Sequence, residues 1–259
     1  RPALKRSNLT LMTQAMAETL LFEGHRVTGL RLRVEGALRE VQARGEVILA
    51  AGAINSPHLL QLSGIGPSAV LKAAGITPRI DLPGVGENLQ DHYQVRHVLK
   101  AKYPITLNDQ MRRLTGRLGI GLDYLLRRRG PLTISAGQAG VFARTRPDLA
   151  DPDMQIHFLT LSTDQPGKSL HPFSGFTASV CQLRPESRGN VRAASPDASG
   201  APRIVAGYLS APEDQQVIVD AMKLTRRILA APAMAAHILE EILPGPGVQD
   251  DAALLDAAR

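Results

Sequence analysis

The segment Gly52–Gly66 constrains the fold of this chain more than any other. It reads Gly-Ala-Ile-Asn-Ser-Pro-His-Leu-Leu-Gln-Leu-Ser-Gly-Ile-Gly and follows the apolar run Val47–Ala50, which predicts a strand buried on both faces. Ser56 and Pro57 predict an N-cap and a first helical residue, because proline fixes φ and lacks an N–H that would be unpaired there. A strand, a small-residue turn and a helix N-terminus leave backbone amides free for an anion, such as the phosphate of a cofactor.

Length and composition allow one large domain or two smaller ones. The chain has 259 residues, of which 44% are hydrophobic and 21% charged, as in ordinary globular proteins. Its longest apolar run, 47–54, is too short to cross a bilayer. The single Cys181 excludes an internal disulfide and favours a reducing compartment, so we expect a cytoplasmic protein.

Arginine supplies most of the net charge of +6. Arg112, Arg113 and Arg117 precede Arg127–Arg129 on one predicted helix and its end. A solvated helix face with cations near the C-terminus is the structural interpretation. A peripheral contact with anionic lipid is an alternative. We expect no nucleic-acid binding, because no aromatic residues are interleaved with these arginines.

Local patterns predict a mixed α/β (α+β) chain. Turn residues at 23–25 and 35–37 predict a β-meander near the N-terminus. The predicted strands are 9–12, 17–22, 27–34, 38–43, 47–50, 93–101, 140–143, 154–161, 176–183, 191–193 and 203–204. The predicted helices are 57–62, 67–74, 107–128, 211–230 with Ser210 as its cap, 233–241 and 250–258.

Several motifs resemble one known family. Gly52–Gly66 matches, position for position, the second signature of the glucose–methanol–choline (GMC) family of FAD-dependent oxidoreductases. Residues 83–92, Pro-Gly-Val-Gly-Glu-Asn-Leu-Gln-Asp-His, resemble another of its elements, and residues 177–191 resemble the start of its C-terminal homology region. Residues 208–214 and 244–246 are similar to the choline-dehydrogenase-like branch. The resemblance implies part of an FAD-binding Rossmann-like domain in 1–92 and a substrate-binding domain, an antiparallel sheet backed by helices, in 93–259.

Two elements of the family do not occur in this sequence. They are the Gly-x-Gly-x-x-Gly loop that holds the FAD pyrophosphate and the C-terminal catalytic His with its following His or Asn. We therefore expect the chain to be an internal part of such an enzyme, and the activity to belong to the intact protein.

The resemblance implies FAD as the cofactor and assigns residues to it. Ala17 corresponds to a main-chain contact with the adenine. The family places the FAD diphosphate near the turn, and the corresponding residues are Ala51, Gly52 and Ala53, with Asn55 and Ser56 ordering the turn. The residues expected to brace the boundary between the two domains are Asn88, Asp91 and His92, of which His92 also has a purely structural interpretation.

The resemblance also implies substrate-side residues. His157 lies on a strand whose counterpart points a His into the substrate pocket in several members, and a structural His is the alternative. Ser135 and Gln138 come from a segment that lines the substrate cavity in similar proteins, although both also suit a turn. Lys100 corresponds to an acidic residue of choline-oxidising members. Because a desolvated cation disfavours a cationic substrate, we expect a neutral primary alcohol rather than choline.

Other chemistries have little support in the residues. No set of His, Cys and carboxylates has metal-ligand spacing, so we expect no metal site. Ser63 lacks the Gly-x-Ser-x-Gly elbow of a hydrolase. The resemblance implies oxidation of a small primary alcohol to an aldehyde by hydride transfer to flavin, with oxygen or a quinone as the electron acceptor. Choline dehydrogenase proper, a hydroxynitrile lyase with structural FAD, and a chain that alone binds no FAD remain as alternatives.

Overall fold

The computed structural model describes residues 2–135, 137–165 and 167–259. In chain order the strands are β1 (Ala15–Glu23), β2 (Arg26–Val34), β3 (Ala37–Gln42), β4 (Ile65–Gly66), β5 (Ile80–Asp81), β6 (Glu87–Leu89), β7 (Gln94–Ala101), β8 (Gly137–Ala143), β9 (Met154–Leu159), β10 (Gly175–Gln182), β11 (Gly189–Arg192), β12 (Arg203–Val205) and β13 (Ile238–Leu243). The α-helices are α1 (Gly52–Leu62), α2 (Ser68–Ala73), α3 (Leu107–Arg112), α4 (Leu114–Arg127), α5 (Pro212–Leu229), α6 (Pro232–Ala235) and α7 (Asp251–Ala258). The α/β (α+β) class predicted from the sequence is confirmed.

The chain divides into two compact units. The first contains Arg1–Gln90 and Arg188–Gly207, and the second contains Asp91–Ser187 and Tyr208–Arg259. The sequence assigned all of 93–259 to one domain, but the structure places 188–207 in the first unit. The reason is strand pairing, because β11 lies between β12 and β6 in a three-stranded sheet. The assignment of the two units to FAD and substrate stays a prediction.

The first unit begins with the predicted meander. β1, β2 and β3 pair in that order, with antiparallel registers such as Leu20↔Leu30 and Arg31↔Glu40. The strands predicted at 9–12 and 47–50 are wrong, since neither segment has strand structure. Ile48 is 77% exposed. A buried strand needs hydrogen-bonded neighbours, and none of the described strands pairs with 47–50.

The second unit is built on a five-stranded antiparallel sheet in the order β13-β7-β10-β9-β8. Successive side chains of a strand point to opposite faces. One face packs against α5 and α7 through an apolar core: Val95, Leu99, Met154, Ile156, Phe176, Ala178, Val180, Ile218, Met222 and Leu254. The alternate residues, which include Arg96, His157 and Ser179, therefore lie on the face opposite α5.

Two predicted helices differ in the structure. The helix predicted at 107–128 is split into α3 and α4 because Arg113 has an extended ψ of 134°. The segment predicted as helix 233–241 forms short α6 and then edge strand β13, which pairs with β7 through Glu241↔Leu99. The open hydrogen-bonding edge of β7 overrides local helix propensity there.

Other boundaries agree more closely. α5 begins at Pro212, one residue later than predicted, and its N-cap is Ala211 rather than Ser210. α7 has the side chain of Asp250 as its cap, accepting a hydrogen bond from Ala253 N at 2.8 Å. Across the described ranges, no helix has the length and apolar character needed to cross a bilayer.

Asp214 joins the first turn of α5 to the chain that precedes it. Its carboxylate accepts hydrogen bonds from Glu186 N at 2.8 Å and Ser187 N at 2.7 Å. Burial raises the pKa of Asp214, but the hydrogen bonds from Ser187 and Glu186 outweigh burial and hold the pKa below its ordinary value. A lowered carboxyl pKa stabilises the fold above the ordinary pKa of the group, and this stabilisation is lost as the pH falls through the lowered value.

We predict that Asp214→Asn lowers the free energy of unfolding of the second unit by about 2 kcal/mol, because an amide replaces an ionised acceptor of two backbone N–H groups, of which that of Ser187 is buried. This difference in the free energy of unfolding is expected at neutral pH, and it shrinks in acid because the carboxylate of the wild type becomes protonated. Urea unfolding at neutral and acidic pH measures the difference. The exposed Asp256→Asn is the control, and equal stability of the two variants would contradict the assignment.

Candidate functional site

Helix α1 begins earlier than the sequence predicted. Its first residue is Gly52 and its N-cap is Ala51, so Ser56 is not the N-cap and Pro57 lies inside the helix. The hydroxyl Oγ of Ser56 instead accepts a hydrogen bond from Ala51 N at 3.0 Å. The helix therefore begins at Gly52, before the predicted start, and Ser56 stabilises its first turn from within the helix.

The N-terminus of α1 is uncovered within its unit. Gly52 has a positive φ of 78°, which favours glycine, and a Cβ built there would meet no atom within 4 Å. Ala51 and Ala53 are exposed. The first amides of a helix have no intrahelical acceptor. This turn therefore leaves room and hydrogen-bond donors for an anionic group.

A pocket of about 470 Å³ in the first unit is lined by residues of two sequence motifs, Gly52–Gly66 and 83–92. Its walls come from α1, from the Gly-rich turn with β6, and from β11: Ala53, Ser56, Pro57, Leu60, Gly84, Val85, Gly86, Glu87, Asn88, Leu89, Gln90 and Val191. Asn88 is exposed and has a positive φ of 61°. The structure thus brings together three of the sequence-derived cofactor residues, Ala53 and Ser56 of α1 and Asn88, which lies more than thirty residues further along the chain.

Four other sequence-derived cofactor residues in this unit do not line the pocket, namely Ala17, Ala51, Gly52 and Asn55. Ala17 is half-buried on β1, where it pairs with Leu32 beside a register shift that ends at Thr19. Asn55 is an exposed residue of α1.

The buried side chain of Gln61 holds the pocket together. Its Nε2 donates hydrogen bonds to Val85 O at 3.2 Å and Val191 O at 2.9 Å. Its Oε1 accepts a hydrogen bond from Ala193 N at 2.6 Å. A Cβ on Gly86 would overlap both Val191 O and Gln61 Nε2, so only glycine fits there. One carboxamide therefore links α1 to the Gly-rich turn and to the segment around β11.

Sequence reasoning missed Gln61, which occupies an unrestricted position of the GMC signature. A signal was present, since Gln61 is a polar residue between Leu60 and Leu62 in a helix expected to be packed. A second missed contact is that of Ser63, whose Oγ accepts from Leu20 N at 2.9 Å and donates to Leu59 O at 2.6 Å. Ser63 therefore connects the end of α1 to β1.

Asp91 and His92 belong to the second unit and have partners there. The carboxylate of Asp91 accepts hydrogen bonds from Tyr208 Oη at 2.5 Å and from His92 N at 2.9 Å. The Nε2 of His92 lies 3.2 Å from Leu183 O. The hydrogen bond to Asp91 raises the pKa of Tyr208 to about 12. Tyr208 was not identified from the sequence, because no local pattern links it to a partner 117 residues away.

His157 lies in a row of side chains on the face opposite α5. It pairs with Ser179 on β10, and Ser179 pairs with Arg96 on β7. On its other side His157 pairs with Gly140 of the edge strand β8, and this glycine has no side chain. His157 is half-buried.

The substrate-side residues Lys100, Ser135 and Gln138 are dispersed. Ser135 is exposed and donates from Oγ to Gly137 O at 2.9 Å. Gln138 is exposed at a register shift in β8. Lys100 lies on β7, three strand spacings from β8, which is about 14 Å.

The sequence predicted a desolvated cation at Lys100, but in the structure the charge of Lys100 has a partner. Its Nζ lies 2.9 Å from Oε1 of Glu240, and the Lys100 side chain is 36% exposed. The charge is therefore paired and partly solvated. Lys100 consequently gives no argument against a cationic substrate.

Other reactive groups do not form a site in the described ranges. No cluster of three or more His, Cys, Asp or Glu side chains there has the geometry to hold a metal ion. Burial raises the pKa of the Cys181 thiol, which keeps it protonated.

The fold and the pocket define a two-unit α/β protein with a free helix N-terminus suited to an anionic group. Two family models, both described as GMC oxidoreductase, match residues 1–94 and 185–259, which together make up about two thirds of the chain. The chain belongs to the GMC oxidoreductase family, as the resemblance predicted.

Known relatives are similar over the whole chain. It is 39% identical over 260 residues to an oxygen-dependent choline dehydrogenase of Staphylococcus haemolyticus, covering 100% of this chain and 45% of the relative. A pyridoxine 4-oxidase from Mesorbium loti has a TM-score of 0.81 and 26% identity, covering 100% of this chain and 46% of that one. A formate oxidase of Aspergillus oryzae has a TM-score of 0.88 and 21% identity, covering 98% and 49%, and shows the fold alone. The chain spans about half the length of the proteins it matches.

We predict that Gln61→Leu opens the pocket in the first unit. Three buried backbone groups lose their partner at once, which costs about 3 kcal/mol. Hydrogen exchange of the Ala193 amide, the donor to Gln61, is expected to accelerate about 100-fold. Gln42→Leu, at an exposed position of β3 in the same unit, is the control. Unchanged protection of Ala193 in Gln61→Leu would contradict this role.

Proposed function

We propose that this chain is part of an FAD-dependent oxidoreductase that oxidises a primary alcohol to an aldehyde by hydride transfer to flavin. The observation that carries the proposal is the pocket at the N-terminus of α1, where Ala53 and Ser56 of one GMC motif meet Asn88 of another. Membership of the GMC oxidoreductase family supports the reaction type. FAD is supported by the fold shared with a formate oxidase studied for its FAD modification.

The residues of the first unit suit the phosphates of FAD. The amides of Gly52 and Ala53 provide hydrogen-bond donors and the positive end of the helix dipole. Ser56 fixes the turn through its hydrogen bond with Ala51 N. Asn88 contributes a polar side of the pocket, and Ala17 is the proposed main-chain contact for the adenine. FAD, when bound, supplies the hydride acceptor for the alcohol carbon.

His157 is the proposed substrate-side residue of the second unit. Its ring lies on the face opposite α5, beside the hydroxyl of Ser179 and across from Gly140. A neutral imidazole there can donate a hydrogen bond to the substrate oxygen or accept one from it. Ser135 and Gln138 stay proposals as substrate contacts, and Asp91 and His92 as residues at the edge of the two domains.

Choline is the second candidate substrate. The pairing of Lys100 with Glu240 removes the argument against a cation, and a relative at 39% identity is an oxygen-dependent choline dehydrogenase. The name of that relative also favours oxygen over a quinone as the acceptor. A cytoplasmic location and a peripheral lipid contact stay predictions from the sequence.

We predict that Ala53→Asp weakens FAD binding about tenfold or more, because a carboxylate beside the diphosphate repels it. The fold is expected to stay intact, since an acidic residue in the first turn favours a helix. The affinity is measured by titrating FAD into the apo form of the whole protein that contains this chain. Ala69→Asp is a matched control, because Ala69 is exposed and is likewise the second residue of its helix.

Equal affinity of Ala53→Asp and wild type would contradict the FAD site. Titration of residues 1–259 with FAD tests the alternative that this chain alone binds no FAD. Tight stoichiometric binding would contradict that alternative.

We predict that anaerobic addition of a primary alcohol bleaches the flavin absorbance. A hydroxynitrile lyase with structural FAD leaves it unchanged. His157→Gln is expected to slow bleaching about 100-fold without loss of bound flavin. His237→Gln, at an exposed position, is the control. A wild-type rate in His157→Gln would show that His157 does not act on the substrate.

A further inference from the structure

A cavity of about 260 Å³ lies in the second unit on the face of the sheet opposite α5. Its floor comes from β7, β10 and β9, and the segment after β9 covers it. The lining residues are Gln94, Arg96, Leu159, Leu161, Thr163, Gly167, Lys168, Leu170, Thr177 and Ser179. Two of these residues, Arg96 and Lys168, carry a positive charge.

Neither cation has an anionic partner among the described residues. Among the described residues, the Arg96 guanidinium donates one hydrogen bond, to the backbone carbonyl of Asp164 at 3.3 Å. The carboxylate of Asp164 binds His171 instead, with 2.8 Å between Oδ1 and Nε2. In the part of the chain that the structure describes, no carboxylate lines the cavity. Arg96 is half-buried and Lys168 is exposed, and an anion in the cavity would give both cations a charge-assisted partner.

Arg96 also has a defined relation to His157. Arg96, Ser179 and His157 occupy directly opposite positions on β7, β10 and β9. Two strand spacings therefore separate the Cα atoms of Arg96 and His157 by about 10 Å. Both side chains leave the same face of the sheet, and Ser179 between them has its hydroxyl bound to Gln94 Oε1 at 3.1 Å. Arg96 and Ser179 line the cavity, and His157 is the next residue in the same row, so a ligand that contacts both ends must extend from the cavity past Ser179.

We infer that the substrate alcohol carries a carboxylate, which Arg96 and Lys168 bind while its hydroxyl meets His157. This inference rests on the proposed function, since it assigns the substrate class of the same site. Guanidinium binds a carboxylate in a planar, charge-assisted arrangement, and Lys168 adds a second cation. The same two charges repel a quaternary ammonium such as choline.

The test compares three alcohols of similar size: 4-hydroxybutanoate, 1,4-butanediol and choline. In the wild-type holoenzyme, kcat/KM for 4-hydroxybutanoate is expected to exceed that for the other two by about tenfold or more. Arg96→Gln is expected to remove this preference by lowering kcat/KM for 4-hydroxybutanoate about tenfold, and Arg96→Lys to restore part of it. Arg227→Gln, at an exposed position of α5, is the control.

A second measurement does not depend on turnover. Calorimetric titration with succinate, which has no hydroxyl to oxidise, is expected to show binding to wild type and about tenfold weaker binding to Arg96→Gln. Far-ultraviolet circular dichroism and flavin content establish that each variant is folded.

The outcomes separate the two proposals. Carboxylate binding that depends on Arg96, in a protein that oxidises no alcohol, would support the anion site and contradict the proposed function. Alcohol oxidation with a preference for 1,4-butanediol or choline would support the proposed function and overturn this inference. A carboxylate preference or succinate affinity that survives Arg96→Gln would also overturn it.

Discussion

The carboxamide of Gln61 is the contact on which the first unit depends. It is fully buried, and it satisfies two carbonyls and one amide from parts of the chain far apart in sequence. Because a buried polar group must find partners, this side chain fixes the distance between α1, the Gly-rich turn and the segment around β11. The free N-terminus of α1 and the pocket beside Asn88 follow from that arrangement. A residue away from the ligand thus sets the geometry of the proposed cofactor site.

In the second unit the two faces of one sheet differ: one forms the core, and the other carries the proposed ligand contacts. The face toward α5 is apolar and supplies the core, with the central strand β10 buried along its whole length. The other face places Arg96, Ser179 and His157 in one row. Alternation along a strand lets the same eight-residue element serve both purposes. Substitutions on the second face are therefore expected to have little effect on the core.

The sequence predicted the elements best where local pattern and tertiary pairing agree. The meander, α5 and the strands around His157 follow from periodicity and turn residues. The strand predicted at Val47–Ala50 is wrong because a strand forms only where a neighbouring strand can pair with it. The helix predicted over β13 is wrong because the open edge of β7 gives that segment a strand to pair with. At the candidate site, Ser56 was recognised but given the wrong backbone position, and Lys100 was interpreted without Glu240, which lies 140 residues away.

By itself the sequence determined the family, the reaction class it implies and the small residues that free the turn at Gly52, because those are encoded in short contiguous motifs. Only the tertiary structure decided which of the named residues share a pocket, that Gln61 positions them, and that Arg96 faces a cavity in line with His157. Strand register and long-range hydrogen bonds create those relations. Neither is written in any local stretch of residues, since each partner is chosen by the packing of the whole unit.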